Sequence, residues 1–338
     1  MKRFLCIALS IVMLFAIASC ATSTPASSPS PSPSQSPSPS PDSSDENTDE
    51  NAPESSPELP SSARVEIDRE GNPIELPDRI ERIISMGPST TEILIEFGFA
   101  DLIIGADIYT VSIPEISTDV PLFSITSPDV EQILDLEADI MFVTSMSRTG
   151  DDDRYKTLSD SGLCLIYIPS SSSIAGIMED IRFIAAVMDV PDKGEALVAD
   201  MQRELDEVKA LGETVTDKKS VYFEIAAAPY MYSFGHNTFL NEMIEIIGAT
   251  NIFGEVSGWM SVSDEAVLDA DPDVILTSVD YIDDPIEEIK DRSGWSDITA
   301  VKNDAVYKIH TDRSTRSSHK IVIALREMAE AIYPELTQ

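Results

Sequence analysis

The chain has 338 residues, 42% of them hydrophobic, with Lys+Arg 23 against Asp+Glu 60 and a formal charge of −37. That length accommodates two domains, and the hydrophobic content is enough for real cores once the N-terminus is set aside. So acidic a chain argues against nucleic acid, whose phosphates need Lys and Arg, and against a polybasic grip on anionic lipid; the charge reads first as a solvated, self-repelling surface.

Lys2-Arg3 precedes an apolar run from Phe4 to Ala18. The run is short for a bilayer span and has the charge layout of a secretory signal, so residues 1–19 are expected to be removed on export. It ends Ile17-Ala18-Ser19-Cys20, which resembles the lipobox of bacterial lipoproteins, in which the Cys is acylated and becomes the mature N-terminus. Residues 20–63 follow as that Cys20 and a Ser/Pro tract running into acidic residues, a composition that cannot build a core. Proline stiffens this tether and like charge extends it, giving a reach of up to roughly 100 Å. The expected location is outside the cytoplasmic membrane, held by lipid. Of Cys6, Cys20 and Cys164, only Cys164 falls in the folded part, so no internal disulfide is expected there. Its setting, Leu163-Cys164-Leu165-Ile166, reads as a buried strand and an unreactive thiol.

Alternating strand and helix patterns begin near Arg64. Val65-Glu66-Ile67 and Ile74-Glu75-Leu76 flank a Gly71-Asn72 turn and read as a hairpin. Arg82-Ile83-Ile84-Ser85-Met86 is a buried strand, and Gly87-Pro88-Ser89 turns into a helix closed by Gly98. Leu102-Ile103-Ile104-Gly105 and Leu163-Cys164-Leu165-Ile166-Tyr167-Ile168 are further strands. A long helix runs from about Pro191, at the first helical position, to Gly212, with an apolar stripe Leu197, Met201, Leu205, Val208 and Leu211. A second series opens at Ser220-Val221-Tyr222-Phe223-Glu224-Ile225 and continues through a helix over Thr238–Ile247, a strand at Ala305–Ile309 and a final helix from about Ser318 to Ile332.

Within these series one unit occurs twice. Asp129-Val130-Glu131-Gln132-Ile133-Leu134 leads into Ile140-Met141-Phe142-Val143, and Ser263-Asp264-Glu265-Ala266-Val267-Leu268 leads into Val274-Ile275-Leu276. Each is a capped helix start, with Ser127 or Asp129 and then Ser263 supplying the cap oxygen, followed by a buried strand. The fold class is therefore α/β: two lobes with mostly parallel sheets, residues 64–190 and 213–338, bridged by the single helix 191–212, with a ligand cleft between the lobes at the strand carboxyl ends.

These features together resemble the binding proteins of iron-siderophore and vitamin B12 ABC importers, whose two lobes are joined by one long helix. The resemblance covers about residues 64–336. It rests on the stretch from Arg82 to Glu92, the two repeat units, Gly248-Ala249-Thr250-Asn251-Ile252-Phe253, Gly294-Trp295, Ala300-Val301-Lys302-Asn303 and the tail from Arg316 to Pro334. It implies lobes that move little, a shallow cleft lined by aromatic, Met and polar side chains, and one Glu per lobe docking on arginines of the membrane permease. Those glutamates fall at Glu131 and Glu265; read without the repeat, each is an acid favoured by a helix N-terminus. Residues that follow strands are the cleft candidates: Ser89, Thr90, Tyr109, Phe123, Met146 and Arg148 from the first lobe, and Tyr230, Tyr232, Trp259, Met260, Tyr281, Arg313 and Arg316 from the second. Trp259 offers a flat face to a macrocycle or chelate rim, and the three arginines could pair with ligand carboxylates or catecholates.

The expected ligand is a ferric siderophore or a corrinoid, which carries its own metal ligands, so neither a cofactor nor a protein metal site is expected. Bare zinc or manganese capture would want clustered His, and His236, His310 and His319 are scattered. Heme-binding relatives place an iron-ligating Tyr before the first repeat unit; here that loop is Pro121-Leu122-Phe123-Ser124, which lowers heme, although Tyr109 could still reach. The competing classes are a surface ligand-sensing lipoprotein without a transporter and an exported hydrolase. Gly87-Pro88-Ser89-Thr90 is not Gly-x-Ser-x-Gly, and neither His-Glu-x-x-His nor a Walker loop occurs. The expected partners are an ABC permease with its ATPase, the small-molecule chelate, and the membrane through Cys20; a monomer is expected.

Overall fold

The structure is a computed structural model and describes residues 64–145, 148–149, 152–153 and 155–336. The expected signal segment, Cys20, the expected tether and Met146 lie outside the described residues; for Arg148 only the backbone is described.

In chain order the first lobe comprises β1 (Ile83–Ser85), α1 (Pro88–Glu96), β2 (Ile103–Asp107), β3 (Leu122–Phe123), α2 (Val130–Asp135) and β4 (Ile140–Thr144). Then come β5 (Arg148–Thr149) and β6 (Asp152–Asp153), an antiparallel pair, α3 (Lys156–Asp160), β7 (Cys164–Ile168) and α4 (Ile174–Val187). Five strands form one parallel sheet in the order β3-β2-β1-β4-β7. Its central strands are runs of Ile, Met, Phe and Val buried on both faces, as a sheet covered by helices on each side requires.

After α5 (Pro191–Gly212) the second lobe adds β8 (Ser220–Glu224), β9 (Tyr232–Phe234), α6 (Phe239–Ile246), β10 (Thr250–Asn251), β11 (Trp259–Ser261), α7 (Asp264–Ala270) and β12 (Val274–Thr277). It closes with α8 (Pro285–Lys290), α9 (Thr299–Lys302), β13 (Val306–Lys308), α10 (Thr311–Thr315) and α11 (Ile321–Ile332). Its parallel sheet has the order β10-β8-β12-β13, and β9 and β11 form a separate antiparallel ribbon. The two repeat units take equivalent places: β4 lies directly beside β1, and β12 directly beside β8, the opening strand of each sheet. Their helices are capped alike, Asp129 accepting from the Gln132 N–H at 3.0 Å and Ser263 from the Ala266 N–H at 3.3 Å.

The helix α5 has the expected ends but a rotated buried face. Val198, Met201, Leu205 and Val208 are buried, with Gly194 and Gly212 at the two ends of the stripe. Leu197 is only partly covered and Leu211 is exposed, against the expected stripe. The cause is close packing at the helix end: a Cβ on Gly212 would lie 2.3 Å from the Ile246 carbonyl oxygen, so this backbone, not the Leu211 side chain, meets the second lobe. The predicted hairpin around Gly71 is reduced to one bridge, Ile67 to Pro73, its turn organised by Asp68, whose Oδ1 accepts from the Glu70 N–H at 2.9 Å and the Asn72 N–H at 2.8 Å. Cys164 opens β7 half-buried, and burial pushes its thiol pKa up.

One continuous apolar cluster runs through both lobes. It joins Ile83, Phe142 and Ile184 of the first to Val221, Phe239 and Leu325 of the second through the stripe of α5. Each lobe has a further core of its own behind its sheet. A shared core resists hinge motion, because opening the lobes would expose that surface at about 25 cal/mol per Å².

Candidate functional site

A cavity of about 640 Å³ lies between the lobes, within the range of small-molecule sites. It is built at the carboxyl ends of the strands. After β1 the chain turns through Gly87, where a Cβ would stand 2.8 Å from Thr144 Cγ2 at the end of β4; only glycine lets the two loops approach. Pro88, which needs no N–H donor at the first helical position, then starts α1 and brings Ser89 and Thr90 to the cavity. After β2, Asp107 caps a short turn by accepting from the Tyr109 N–H at 2.8 Å, and Tyr109 stands at the cavity edge. Burial pushes the Asp107 carboxyl above its ordinary range, against backbone N–H donors and the Arg316 charge. After β7 come Pro169 to Ser172, with Ser171 donating to Asp180 on α4. Asp180 also accepts from Arg69 Nε at 2.8 Å, yet burial still raises its pKa.

The second lobe contributes Trp259, Phe239, Asp280 and the stretch around α10. Trp259 is the first residue of β11 and pairs with Phe234 of β9. Its ring meets Phe234 edge-on at 5.9 Å and Phe239 at 6.5 Å, while 43% of the residue remains exposed. Such edge-to-face contacts contribute about 1 kcal/mol each and fix the ring with one surface open.

Arg316 ties the lobes at the cavity wall. Its Nη1 donates to Glu92 Oε1 of α1 at 2.9 Å; its Nη2 donates to the Tyr109 carbonyl at 2.9 Å and to Ser112 Oγ at 2.8 Å. Asp312 Oδ1 lies 2.9 Å from the same Nη2. Glu92 is almost fully buried, and its other oxygen accepts from Ser318 Oγ at 2.6 Å. Farther along the lobe boundary the Ile174 N–H donates to Glu242 Oε2 at 2.9 Å.

Of the sequence candidates, Ser89, Thr90, Tyr109, Trp259 and Arg316 come together at this cavity. Met146 and the Arg148 side chain lie outside the described residues, and the remaining candidates lie elsewhere. Phe123 is packed in the first lobe's own core beside Ile84 and Met141. Met260 alternates with Trp259 along β11 and packs against the core that contains Trp295. Tyr230 is 85% and Tyr281 66% exposed, the latter with its Oη accepting from the Ala227 N–H at 2.8 Å. Tyr232 is half-exposed on β9, and Arg313 donates to Glu327 at 2.6 Å away from the cavity. Glu131 and Glu265 are exposed in the first turns of α2 and α7 and make no hydrogen bond or ion pair with a described residue. The residues the sequence reading missed are Asp180, Asp280, Asp312, Phe239 and the serines after β7; the Pro-Ser-Ser-Ser run after a strand was the one available signal. Among the described residues, no group of three or more His, Cys, Asp or Glu side chains could hold a metal ion, and no helix is long and apolar enough to cross a membrane.

The profile of the periplasmic binding protein family matches residues 83–312. The chain is 29% identical over 273 residues to the uncharacterized ABC transporter substrate-binding lipoprotein YvrC of Bacillus subtilis, covering 79% of this chain and 85% of that protein. It is 26% identical over 280 residues to a cobalamin-binding protein of Halobacterium salinarum, covering 79% of this chain and 73% of the relative. Among solved structures, a possible iron-binding (periplasmic solute-binding) protein of Staphylococcus epidermidis is 27% identical and superposes with a TM-score of 0.67, over 76% of this chain and all of the other. Two parallel-sheet lobes around a shared cavity, and a family match spanning both, make this chain a member of the periplasmic binding protein family.

Proposed function

We propose that the chain is the extracytoplasmic, lipid-anchored binding component of an ABC importer, which captures a ferric siderophore or a corrinoid and hands it to the permease. The observation that carries this reading is the cavity between two lobes that share one core, with the open ring of Trp259 at its wall. A rigid cleft with one aromatic face suits a preassembled chelate, which needs shape and hydrogen bonds from the protein, not metal ligands. Relatives named for cobalamin and for iron binding support the same ligand class. In this reading residues 64–190 and 213–338 are the two lobes and 191–212 the bridge. Cys20 carries the lipid, and the similarity to a lipoprotein supports that anchor. Glu131 and Glu265 are the permease contacts. Each is an exposed acid in the first turn of the helix of its repeat unit, and that equivalent placement supports the docking role.

The test is retention of colour. The purified chain is mixed in turn with a ferric hydroxamate, a ferric catecholate, cobalamin, cobinamide and heme, then desalted. Retention of one chromophore at one equivalent is expected. Loss of every colour, with no thermal shift, overturns the proposal.

A further inference from the structure

The charges around the cavity are unequal and unequally satisfied. Among the described residues Arg316 is the only Arg or Lys that lines it, whereas Asp180, Asp280 and Asp312 all do. Arg316 is not free to meet a ligand anion. Its two Nη atoms serve Glu92, Asp312, the Tyr109 carbonyl and Ser112, and only 11% of its side chain is exposed. Two carboxylates therefore already surround the one guanidinium. Asp180 is matched by Arg69, which Glu179 also claims at 2.9 Å. Asp280, by contrast, is exposed and makes no hydrogen bond or ion pair with a described residue. The chain as a whole adds a formal charge of −37. Among the described residues, the one cation of the wall is already paired, so a polyanion approaching this cleft meets a repulsive field and no free described side-chain charge offsets its desolvation.

We propose that the cleft selects by charge: it takes metal chelates that are neutral or cationic overall and rejects polyanionic ones, with Asp280 a specificity-determining carboxylate. This rests on the capture reading above and narrows its ligand class. Ferric tricatecholates and simple oxoanions fall outside; amide-rimmed corrinoids and ferric hydroxamates fall within.

The test uses the full chain and probes that differ in charge at nearly constant shape. Monocationic aquacyanocobinamide is compared with the same ring whose peripheral amides have been hydrolysed to carboxylates. A neutral ferric trihydroxamate is compared with an ammonium-bearing one and with a trianionic ferric tricatecholate. Within each set the anion is expected to bind more weakly by on the order of a hundredfold at low salt. The association rate of a cationic probe should fall as salt rises. Asp280→Lys should weaken the cationic probe that binds and strengthen its anionic counterpart, each by on the order of tenfold. An anion that binds as tightly as its neutral or cationic counterpart overturns the charge inference and leaves the capture reading standing. Failure of all the probes, whatever their charge, overturns the capture reading and takes this inference with it.

Discussion

Arg316 Nη1 donates to Glu92 Oε1 at 2.9 Å, and the two residues belong to different lobes. Glu92 lies on α1, one turn beyond the cavity residues Ser89 and Thr90, while Arg316 follows α10. Ser318 holds the second Glu92 oxygen, and Lys320 Nζ stands 3.5 Å from the first. A buried carboxylate thus gathers three donors from the opposite lobe and fixes the guanidinium that walls the cleft. Removing one partner of such a group leaves uncompensated charge in a low-dielectric site. Glu92→Ala is expected to destabilise the protein by about 3 kcal/mol, read from urea denaturation. Glu92→Gln should fold, keep Ser318 as a neighbour, and show weakened ligand binding because Arg316 loses its charged partner at Nη1 and keeps only the contacts of Nη2. A change below about 1 kcal/mol in the alanine variant would mean the pair behaves as a surface contact.

His319 lies beside that pair and makes the lobe boundary acid-sensitive. Burial holds its pKa down from 6.5 to about 4, against the pull of Glu96, whose carboxylate is 3.5 Å from Nε2. Its Nδ1 is buried without a hydrogen-bond partner. A histidine with a depressed folded-state pKa binds fewer protons folded than unfolded, so its contribution is complete above pH 6.5 and is lost as pH falls toward about 4. In His319→Leu the denaturation midpoint should vary less between pH 6.5 and 4 than in the parent. Parallel pH profiles for the two proteins would remove His319 from the account.

Much of this fold was readable because its signals are local. The apolar runs of β1, β4, β8 and β12, the Pro191 start and Gly212 stop of α5, and the two capped repeat units each carry their instruction within a dozen residues. What stayed hidden depends on partners far along the chain. Glu92 sits 224 positions from Arg316 on a helix that also carries Ser89, Thr90, Thr91 and Glu96, and nothing near it singles it out as the one with a distant partner. Phe123 belongs to a two-residue edge strand, so its inward direction is set by the sheet beneath it. Tyr230 and Tyr281 follow strands as Trp259 precedes α7, yet the β9–β11 ribbon brings only the tryptophan to the cavity. Position after a strand marked the right side of the molecule and did not separate the cavity wall from its surroundings.

Trp259 is held by two ring edges and left open on one side, so its removal costs the fold those two contacts and leaves the shared core intact. Trp259→Ala is expected to weaken chelate binding by about 2 kcal/mol, or roughly thirtyfold, in a protein that still folds. Titration of the chromophore against each variant measures it. Tyr109→Ala should do less, since Tyr109 is largely exposed at the cavity edge and its backbone, not its ring, meets Arg316. Equal binding by the parent and the tryptophan variant would move the ligand elsewhere in the cleft.

Glu131 and Glu265 separate binding from delivery. Both are exposed first-turn acids without a described partner, on the helices of the two repeat units. An acid there gains up to about 1 kcal/mol from its helix N-terminus, so charge reversal costs little stability. If that were their whole role, transport would survive the change. If they meet permease arginines, replacing both by arginine sets like charge against like across the interface, which costs several kcal/mol in association. The expected result for Glu131→Arg/Glu265→Arg is unchanged chelate affinity, a thermal midpoint within a few degrees of the parent, and uptake reduced to the level of cells lacking the protein. Uptake assays with labelled chelate, alongside titration of the same purified variant, distinguish the two roles. Normal uptake by the double variant would return both residues to helix capping alone.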